Sequence, residues 1–231
     1  MSDLSLLEKK LGFKFQNKDL LQQSLVHRSY LNENPDFHLG HNERLEFLGD
    51  AVLELIVTDY LYANYNMPEG ELTSLRAAIV RGEMLSKIAH EMGIDDFLLL
   101  SKGESKDHGK ARNYILANAV EAVIGSLYLD QGYKAAEELV MKFIVSKLED
   151  VIKQGLHIDN KSKFQELAQE KYRVTPLYEV LAEEGLDHAK RFVVGVFLGS
   201  KKMGEGEGSS KQEAQQQAAK EALEAIKKGS I

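Results

Sequence analysis

The stretch that decides the fold of this 231-residue chain is HNERLEFLGDAVLELIV, at residues 41–57. Its apolar residues surround a helix axis on almost every side, and so do those of a second stretch, ILANAVEAVIG, at residues 115–125. A helix that is apolar all round is normally buried. The pattern therefore predicts two largely buried helices, one from Asn42 to about Tyr65 and one over residues 114–131.

Oxygen-bearing side chains interrupt both predicted helices. Glu46 and Asp50 are four residues apart, and Asn118 and Glu121 are three apart. On a helix either spacing places the two side chains on one face. A buried carboxylate without a partner is costly, so such groups usually become neutral, pair with a base or hold a metal. Two such pairs on two apolar helices indicate a site for a hard divalent cation.

The composition bounds the class of protein. The chain has no cysteine, which excludes disulfides and thiolate metal sites, and it has no apolar run of membrane-spanning length. Its N-terminus does not have the pattern of a secretory signal, so we expect a cytoplasmic protein without a membrane partner. The net charge is −7, yet residues 156–231 carry 12 basic and 12 acidic residues. Net charge therefore does not exclude a nucleic-acid partner.

The pattern divides the chain into two parts. Residues 1–152 predict successive helices, including one over 72–92 and one over 135–152, and a polar linker follows at 153–160. Residues 161–231 predict the order α-β-β-β-α, in which Ser210 and Glu213 fit a capping box before the last helix. Its predicted elements are a helix at 162–172, strands at 177–181, 191–198 and 201–206, and a helix at 211–227.

Four motifs in one order resemble the signature of the ribonuclease III family. The motif NERLEFLGD at residues 42–50 is the most specific, and HRSY at 27–30, EGE at 69–71 with LR at 75–76, and residues 115–125 accompany it. Residues 161–231 resemble the double-stranded RNA-binding domain that follows the nuclease domain in the bacterial enzymes. The resemblance implies a multidomain chain, with an all-α nuclease domain followed by an α+β domain that binds RNA duplexes.

The resemblance also implies a homodimer and a Mg²⁺ cofactor, with Mn²⁺ as a substitute. The residues that match the family's metal-binding set are Glu46, Asp50, Asn118 and Glu121. Among these we expect Asp50 and Glu121 to be catalytic. Glu43 and Glu69 match supporting acidic positions, although a solvated helix start explains both equally well.

The resemblance also implies which residues of the second domain contact RNA, when the family's RNA-binding positions are matched to this sequence. Gln165 and Glu166 are expected to face one minor groove, His188 the next minor groove, and Lys211 the phosphates between them. Gln212 stands where the family usually has further basic residues, so we expect weaker binding by this domain.

The leading hypothesis is a double-strand-specific endoribonuclease that leaves 5′-phosphate and 3′-hydroxyl ends. Its expected substrates are ribosomal and other structured precursors, including messenger and transfer RNA. One departure leaves an alternative open, because the family usually has Asp where this chain has Asn118. The alternative is a duplex-RNA-binding protein with attenuated cleavage. A di-metal redox protein is disfavoured, since neither buried helix has a Glu-x-x-His pair.

Overall fold

The computed structural model describes residues 3–106, 109–185 and 190–227, and it divides the chain into two units between His157 and Ile158. The α-helices of the first unit are α1 (Leu4–Leu11), α2 (Lys18–Ser24), α3 (Arg28–Glu33), α4 (Glu43–Asn64), α5 (Glu69–Val80), α6 (Gly82–Met92), α7 (Lys110–Gln131), α8 (Tyr133–Phe143) and α9 (Leu148–Lys153). No helix in the described ranges is long and apolar enough to cross a membrane.

Helix α7 is the centre of the first unit. Every residue from Ile115 to Leu127 is buried except Asn118 and Glu121, which are half-buried. The helices α2, α4, α6 and α8 pack around it. The prediction of a second buried helix is confirmed, and the only two residues of this segment that are not fully buried are the two residues of the predicted metal set.

Helix α4 is buried along one side only. Val52, Leu53 and Ile56 belong to the core, but a stripe of exposed residues runs along another side. This α4 stripe consists of Phe47, Ala51, Leu55, Thr58 and Tyr62. Phe47 is 81% exposed, Leu55 57% and Tyr62 81%. The prediction that α4 is largely buried therefore fails along this stripe, whose spacing of three and four residues keeps it on one helix face.

Two predicted helices are broken. The helix expected over 72–92 is interrupted at Arg81, which is extended (φ −60°, ψ 146°) just before Gly82, a poor helix former. The helix expected over 135–152 is interrupted by a 3₁₀ turn at Val145–Lys147. The β-branched pair Ile144 and Val145 begins that interruption, and both side chains are buried. Core packing therefore overrides the apolar periodicity at this point.

The second unit has the predicted order α-β-β-β-α. Its elements are α10 (Asn160–Tyr172), β1 (Leu177–Glu184), β2 (Arg191–Leu198), β3 (Lys201–Gly208) and α11 (Lys211–Lys227). The strands form one antiparallel sheet in the order β1-β2-β3. The cap of α11 differs slightly from the predicted box. Ser210 Oγ accepts from Glu213 N–H at 3.2 Å, but the Glu213 carboxylate accepts from Ser209 rather than from Ser210.

Alternate glycines in β3 let α11 lie directly on the sheet. A Cβ on Gly204 would come within 2.5 Å of the Ala218 carbonyl, and one on Gly206 would overlap the Ala218 amide. On α11 the facing residues are alanines, among them Ala218 and Ala222, and they are fully buried. Small residues on both sides thus set the close packing of helix and sheet.

Asp130, near the end of α7, holds the segment that leads into α2. Its carboxylate accepts hydrogen bonds from the backbone N–H groups of Gln16 and Asn17, each at 2.8 Å. Burial alone would raise the pKa of Asp130, but hydrogen bonds from Asn17, Gln131 and Gln16 together hold it below its usual range. The ionised carboxylate therefore stabilises the fold.

We predict that Asp130→Asn lowers the free energy of unfolding by about 1 kcal/mol at pH 7, because one charged acceptor is lost. Because the pKa of Asp130 is lowered in the folded chain, its stabilising effect is present above its pKa in the unfolded chain. The effect is lost as pH falls through its pKa in the folded chain. The difference between parent and variant should therefore shrink below about pH 4. Urea unfolding from pH 7 to 3.5 measures it. Asp36→Asn is the control, since Asp36 has no hydrogen-bonding partner in the described part of the chain, and a pH-independent difference would contradict the assignment.

Candidate metal centre and RNA-binding surface

The backbones of α4 and α7 touch at two glycines. A Cβ on Gly49 would overlap the carbonyl of Glu121 and lie 2.9 Å from the amide nitrogen of Gly125. A Cβ on Gly125 would overlap the carbonyl of Leu45 and lie 3.0 Å from the amide nitrogen of Gly49. Since the obstacles are backbone atoms rather than flexible side chains, only glycine fits at either position.

This crossing brings the four predicted metal residues together. Glu46 and Asp50 flank Gly49 on α4, and Glu121 lies one turn before Gly125 on α7. The amide of Asn118 interacts with the Glu46 carboxylate and favours its charged form. The negative charges of Asp50 and Glu46 both act on Glu121. The site therefore joins three carboxylates and one amide across two helices.

The carboxylates carry negative charge that no base neutralises. Burial, and then the charges of Asp50 and Glu46, raise the pKa of Glu121 to about 7. Burial and the nearby charges of Glu43 and Asp50 also raise the pKa of Glu46, against the opposing effect of Asn118. No lysine or arginine contributes to either shift. A divalent cation would supply the missing positive charge.

The donor set fits a hard cation, although the side chains are not gathered around one point. Within residues 3–106, 109–185 and 190–227, no three His, Asp or Glu side chains converge as a metal-binding cluster. The backbone crossing, rather than a rotamer arrangement, is what brings the oxygens near one another. Mg²⁺ keeps several water ligands and needs only a few protein oxygens, so carboxylates and an amide oxygen of this kind suit it.

The two supporting acidic residues occupy different places. Glu43 is close enough to raise the pKa of Glu46, and it faces Arg28 at 3.9 Å and His41 at 3.7 Å. Glu69 begins α5 and lines a cavity with Tyr62 of the α4 stripe. The chain therefore brings Glu43, but not Glu69, to the edge of the metal set.

Sequence reasoning missed two residues beside the centre. Arg28 lies in the motif at 27–30, in which no individual functional residue was predicted from the sequence. His27 of the same motif is the N-cap of α3, where its side chain accepts a hydrogen bond from Ser29 N–H. Tyr114 is 69% exposed and precedes Asn118 by four residues, about one turn of α7. That spacing is the signal that could have identified Tyr114.

In the second unit the described RNA-contact candidates are solvent-accessible. Gln165 and Glu166 are exposed on α10, and Lys211 is exposed at the start of α11 with its ammonium 5.6 Å from the centroid of the Phe192 ring. His188 lies outside the described residues. Gln215 accepts a hydrogen bond from Lys161 Nζ at 2.8 Å, so this glutamine holds a lysine at the junction of α10 and α11.

We predict that Gly125→Ala destabilises the first unit by about 2 kcal/mol and lowers metal-dependent RNA cutting, because the added methyl group pushes α7 away from α4. Gly82→Ala is the matched control. Its Cβ would meet only the Ala117 methyl at 3.8 Å, so it should keep stability and activity. Thermal unfolding and cutting of an RNA duplex measure the two effects. Equal behaviour of both variants would show that the crossing does not constrain the site.

Comparison with known protein families matches both units. Residues 17–148 match the family model described as ribonuclease-III-like, and residues 160–226 match the double-stranded RNA binding motif. These two ranges cover most of the chain and correspond to its two structural units.

Relatives agree over nearly the full length. The chain is 46% identical to Ribonuclease 3 of Carboxydothermus hydrogenoformans, with 96% of this chain and 94% of the relative aligned. It is 42% identical to Ribonuclease 3 of Dehalococcoides mccartyi, over 97% and 95% of the two chains. The solved nuclease domain of ribonuclease III from Campylobacter jejuni matches with a TM-score of 0.57 and 38% identity, covering 62% of this chain and 97% of that domain. The chain therefore belongs to the ribonuclease III family, as an endoribonuclease that joins a helical nuclease domain to a double-stranded-RNA-binding domain.

Proposed function

We propose that this endoribonuclease uses Mg²⁺, or Mn²⁺ as a substitute, to hydrolyse phosphodiester bonds in RNA duplexes, leaving 5′-phosphate and 3′-hydroxyl ends. Its proposed substrates are ribosomal, messenger and transfer RNA precursors in the cytoplasm. The observation that supports this most is the contact of α4 and α7 at Gly49 and Gly125, which places three carboxylates and an amide on adjoining helices. No lysine or arginine contributes to the pKa shift of Glu46 or Glu121.

Each residue of the centre has a proposed role. Glu46 and Glu121 would hold the metal from opposite helices, and the amide oxygen of Asn118 would add a neutral ligand. A bound divalent cation supplies Lewis acidity at the phosphoryl group and a water of lowered pKa. Asp50, the most exposed of the four, is placed to ligate or to orient the attacking water. Glu43 supports the centre by adding negative charge beside Glu46, and Glu69 is proposed as a supporting residue from the resemblance alone.

Asn118 does not weaken the case for cleavage. Its amide keeps a donor oxygen, and Glu46, Asp50 and Glu121 remain as three carboxyl ligands beside it. No feature of the described residues favours an RNA-binding protein with attenuated cleavage.

We predict that Glu121→Gln lowers the rate of metal-dependent cutting at least about a hundredfold, because a charged ligand is replaced by a neutral one. Binding of the RNA duplex should stay within about twofold, since the phosphate contacts carry most of the affinity. A labelled duplex of several helical turns, with Mg²⁺ and with chelator, measures cutting, and a binding assay without Mg²⁺ measures affinity.

Glu138→Gln is the control for that experiment, because Glu138 is an exposed glutamate on α8. Asn118→Asp should keep cutting and lower the Mg²⁺ concentration needed for half-maximal rate. Cutting by Glu121→Gln at the parental rate, or cutting in the presence of chelator, would overturn the proposed metal centre.

The α4 stripe supports a homodimer of the nuclease domain. Three large residues, Phe47, Leu55 and Tyr62, leave a contiguous apolar face exposed on one helix. Such a face usually marks an interface. The Campylobacter jejuni relative is described by its region involved in dimer formation of the nuclease domain. We propose that two copies of this chain pair through their α4 stripes about a two-fold axis.

Substitution of Leu55 tests this proposal with a closely matched control. Leu55 and Leu6 are both 57% exposed, but Leu6 lies on α1, away from the stripe. We predict that Leu55→Glu weakens the dimer about a hundredfold, because each interface would bury two new carboxylates, whereas Leu6→Glu leaves it unchanged. Sedimentation equilibrium measures the dissociation constant. A Leu55→Glu dimer as tight as the parent would place the interface elsewhere.

For the second domain we propose an RNA-binding surface formed by Gln165, Glu166, His188 and Lys211. The exposure of Gln165, Glu166 and Lys211 supports this. Lys211 offers its ammonium at the first residue of α11, where the helix N-terminus also favours a phosphate.

A further inference from the structure

A polar cavity of about 400 Å³ lies in the nuclease domain between α3 and the start of α7. Arg28 and Asn32 line it from α3, Tyr114 lines it from α7, and His27 and Glu104 also border it. We call it the α3–α7 cavity. None of its lining residues belongs to the metal set, so the proposed centre does not account for it.

The α3–α7 cavity adjoins the metal centre along two routes. On α7, Tyr114 precedes Asn118 by four residues, which is about 6 Å along the helix axis and on the same face. On the other side, Arg28 faces the Glu43 carboxylate at 3.9 Å, and Glu43 is close enough to Glu46 to raise its pKa. The cavity is therefore close enough for a strand of RNA with a phosphodiester at the centre to reach it as well.

Arg28 and Tyr114, the two largest side chains that line the cavity, have hydrogen-bonding groups available for a ligand. The Tyr114 side chain is exposed, and its hydroxyl has no hydrogen-bonding partner in the part of the chain that the structure describes. The Arg28 side chain is 73% exposed, and within the described ranges its only charged partner is the Glu43 carboxylate, at 3.9 Å. A guanidinium has five N–H donors in a fork that matches phosphate oxygens. Most of these donors thus remain for a ligand.

The remaining polar groups restrict where an anion can bind. His27 Nδ1 lies 2.8 Å from Ser29 Oγ, so this nitrogen is engaged within α3, and burial lowers the His27 pKa. The imidazole is therefore no source of positive charge at neutral pH. Glu104 borders the cavity with a negative charge. An anion is favoured only beside Arg28, while the ring of Tyr114 offers an apolar surface with a polar end.

We propose that the α3–α7 cavity binds the ribose–phosphate backbone of the cleaved strand next to the scissile bond, with Arg28 on a phosphate and Tyr114 against the neighbouring ribose. This inference rests on the proposed metal centre, which fixes the position of the strand. The Tyr114 hydroxyl can exchange a hydrogen bond with a ribose 2′-hydroxyl, the group that distinguishes RNA from DNA. Both residues are positioning residues, since neither touches the reacting atoms.

Steady-state cutting of an RNA duplex by the full chain with Mg²⁺ tests the proposal over a series of salt concentrations. We expect Arg28→Gln to raise KM about five- to tenfold and to reduce the slope of log KM against log salt by about one, because one phosphate contact is lost. Lys134→Gln is the charge control, as its side chain is 79% exposed on α8, and it should leave KM and slope unchanged.

For Tyr114 we expect KM to rise about fivefold in Tyr114→Ala. Tyr114→Phe should give a smaller rise, because it keeps the ring and loses only the hydroxyl. The salt slope should not change in either variant, since no charge is removed. If Tyr114 had only a structural role, its variants would lower the thermal midpoint, and KM would not rise more in Tyr114→Ala than in Tyr114→Phe.

A positional readout identifies the phosphate. Duplexes that carry one neutral methylphosphonate linkage at successive positions near the cut are compared in parent and Arg28→Gln. At the contacted phosphate the neutral linkage should raise KM in the parent and add nothing in Arg28→Gln. Equal penalties in both proteins at every position, or an unchanged salt slope in Arg28→Gln, would overturn the inference. A wrong assignment of the metal centre gives a different result, because Glu121→Gln would then keep the parental kcat.

Discussion

The contact between the α4 and α7 backbones at Gly49 and Gly125 is the constraint on which the rest of the nuclease domain depends. Ordinary helix pairs lie about 8–10 Å apart because side chains separate them. Here the peptide groups themselves meet, since a Cβ at either glycine would overlap a carbonyl of the other helix. Two carboxylates of α4 and one of α7 lie within one turn of this contact. Their oxygens can therefore share a ligand, although they come from helices far apart in the sequence.

That arrangement costs stability, and the core around α7 offsets the cost. A carboxyl group whose pKa is raised in the folded chain holds its proton more tightly there than in the unfolded chain. It therefore does not destabilise the fold below its usual pKa of 4.5, and the destabilisation grows as pH rises toward its pKa in the folded chain. For Glu121 the folded value is about 7, so the penalty is well developed near neutral pH. The burial of almost the whole segment from Ile115 to Leu127 holds the helix in place despite the repulsion. Clustered carboxylates that lower the stability of the fold in this way are typical of functional sites.

Local sequence patterns predict most of this fold, and tertiary packing decides the rest. Helix α4 was predicted from Asn42 to about Tyr65 and runs from Glu43 to Asn64, and β2 and α11 have the predicted bounds. Periodicity cannot show which apolar residues lack a partner, so it missed the exposed α4 stripe. It also missed the interruption at Arg81, where Gly82 was the available signal. The proposed metal residues were predicted from spacing and resemblance, whereas Tyr114 was not singled out because an aromatic residue at helical spacing usually belongs to a core.

The fixed crossing also determines what the other faces of α4 can do. Glu46 and Asp50 each precede a residue of the α4 stripe, Phe47 and Ala51, and adjacent residues of a helix differ by about 100° around its axis. Glu46 and Asp50 therefore border the first part of the stripe, at Phe47 and Ala51. A second copy that covers the stripe would approach the edge of the metal centre, on the side where Asp50 is exposed. The α3–α7 cavity adjoins the same centre through Glu43 and Asn118. One backbone contact thus sets the relative placement of the proposed metal centre, the α3–α7 cavity and the α4 stripe.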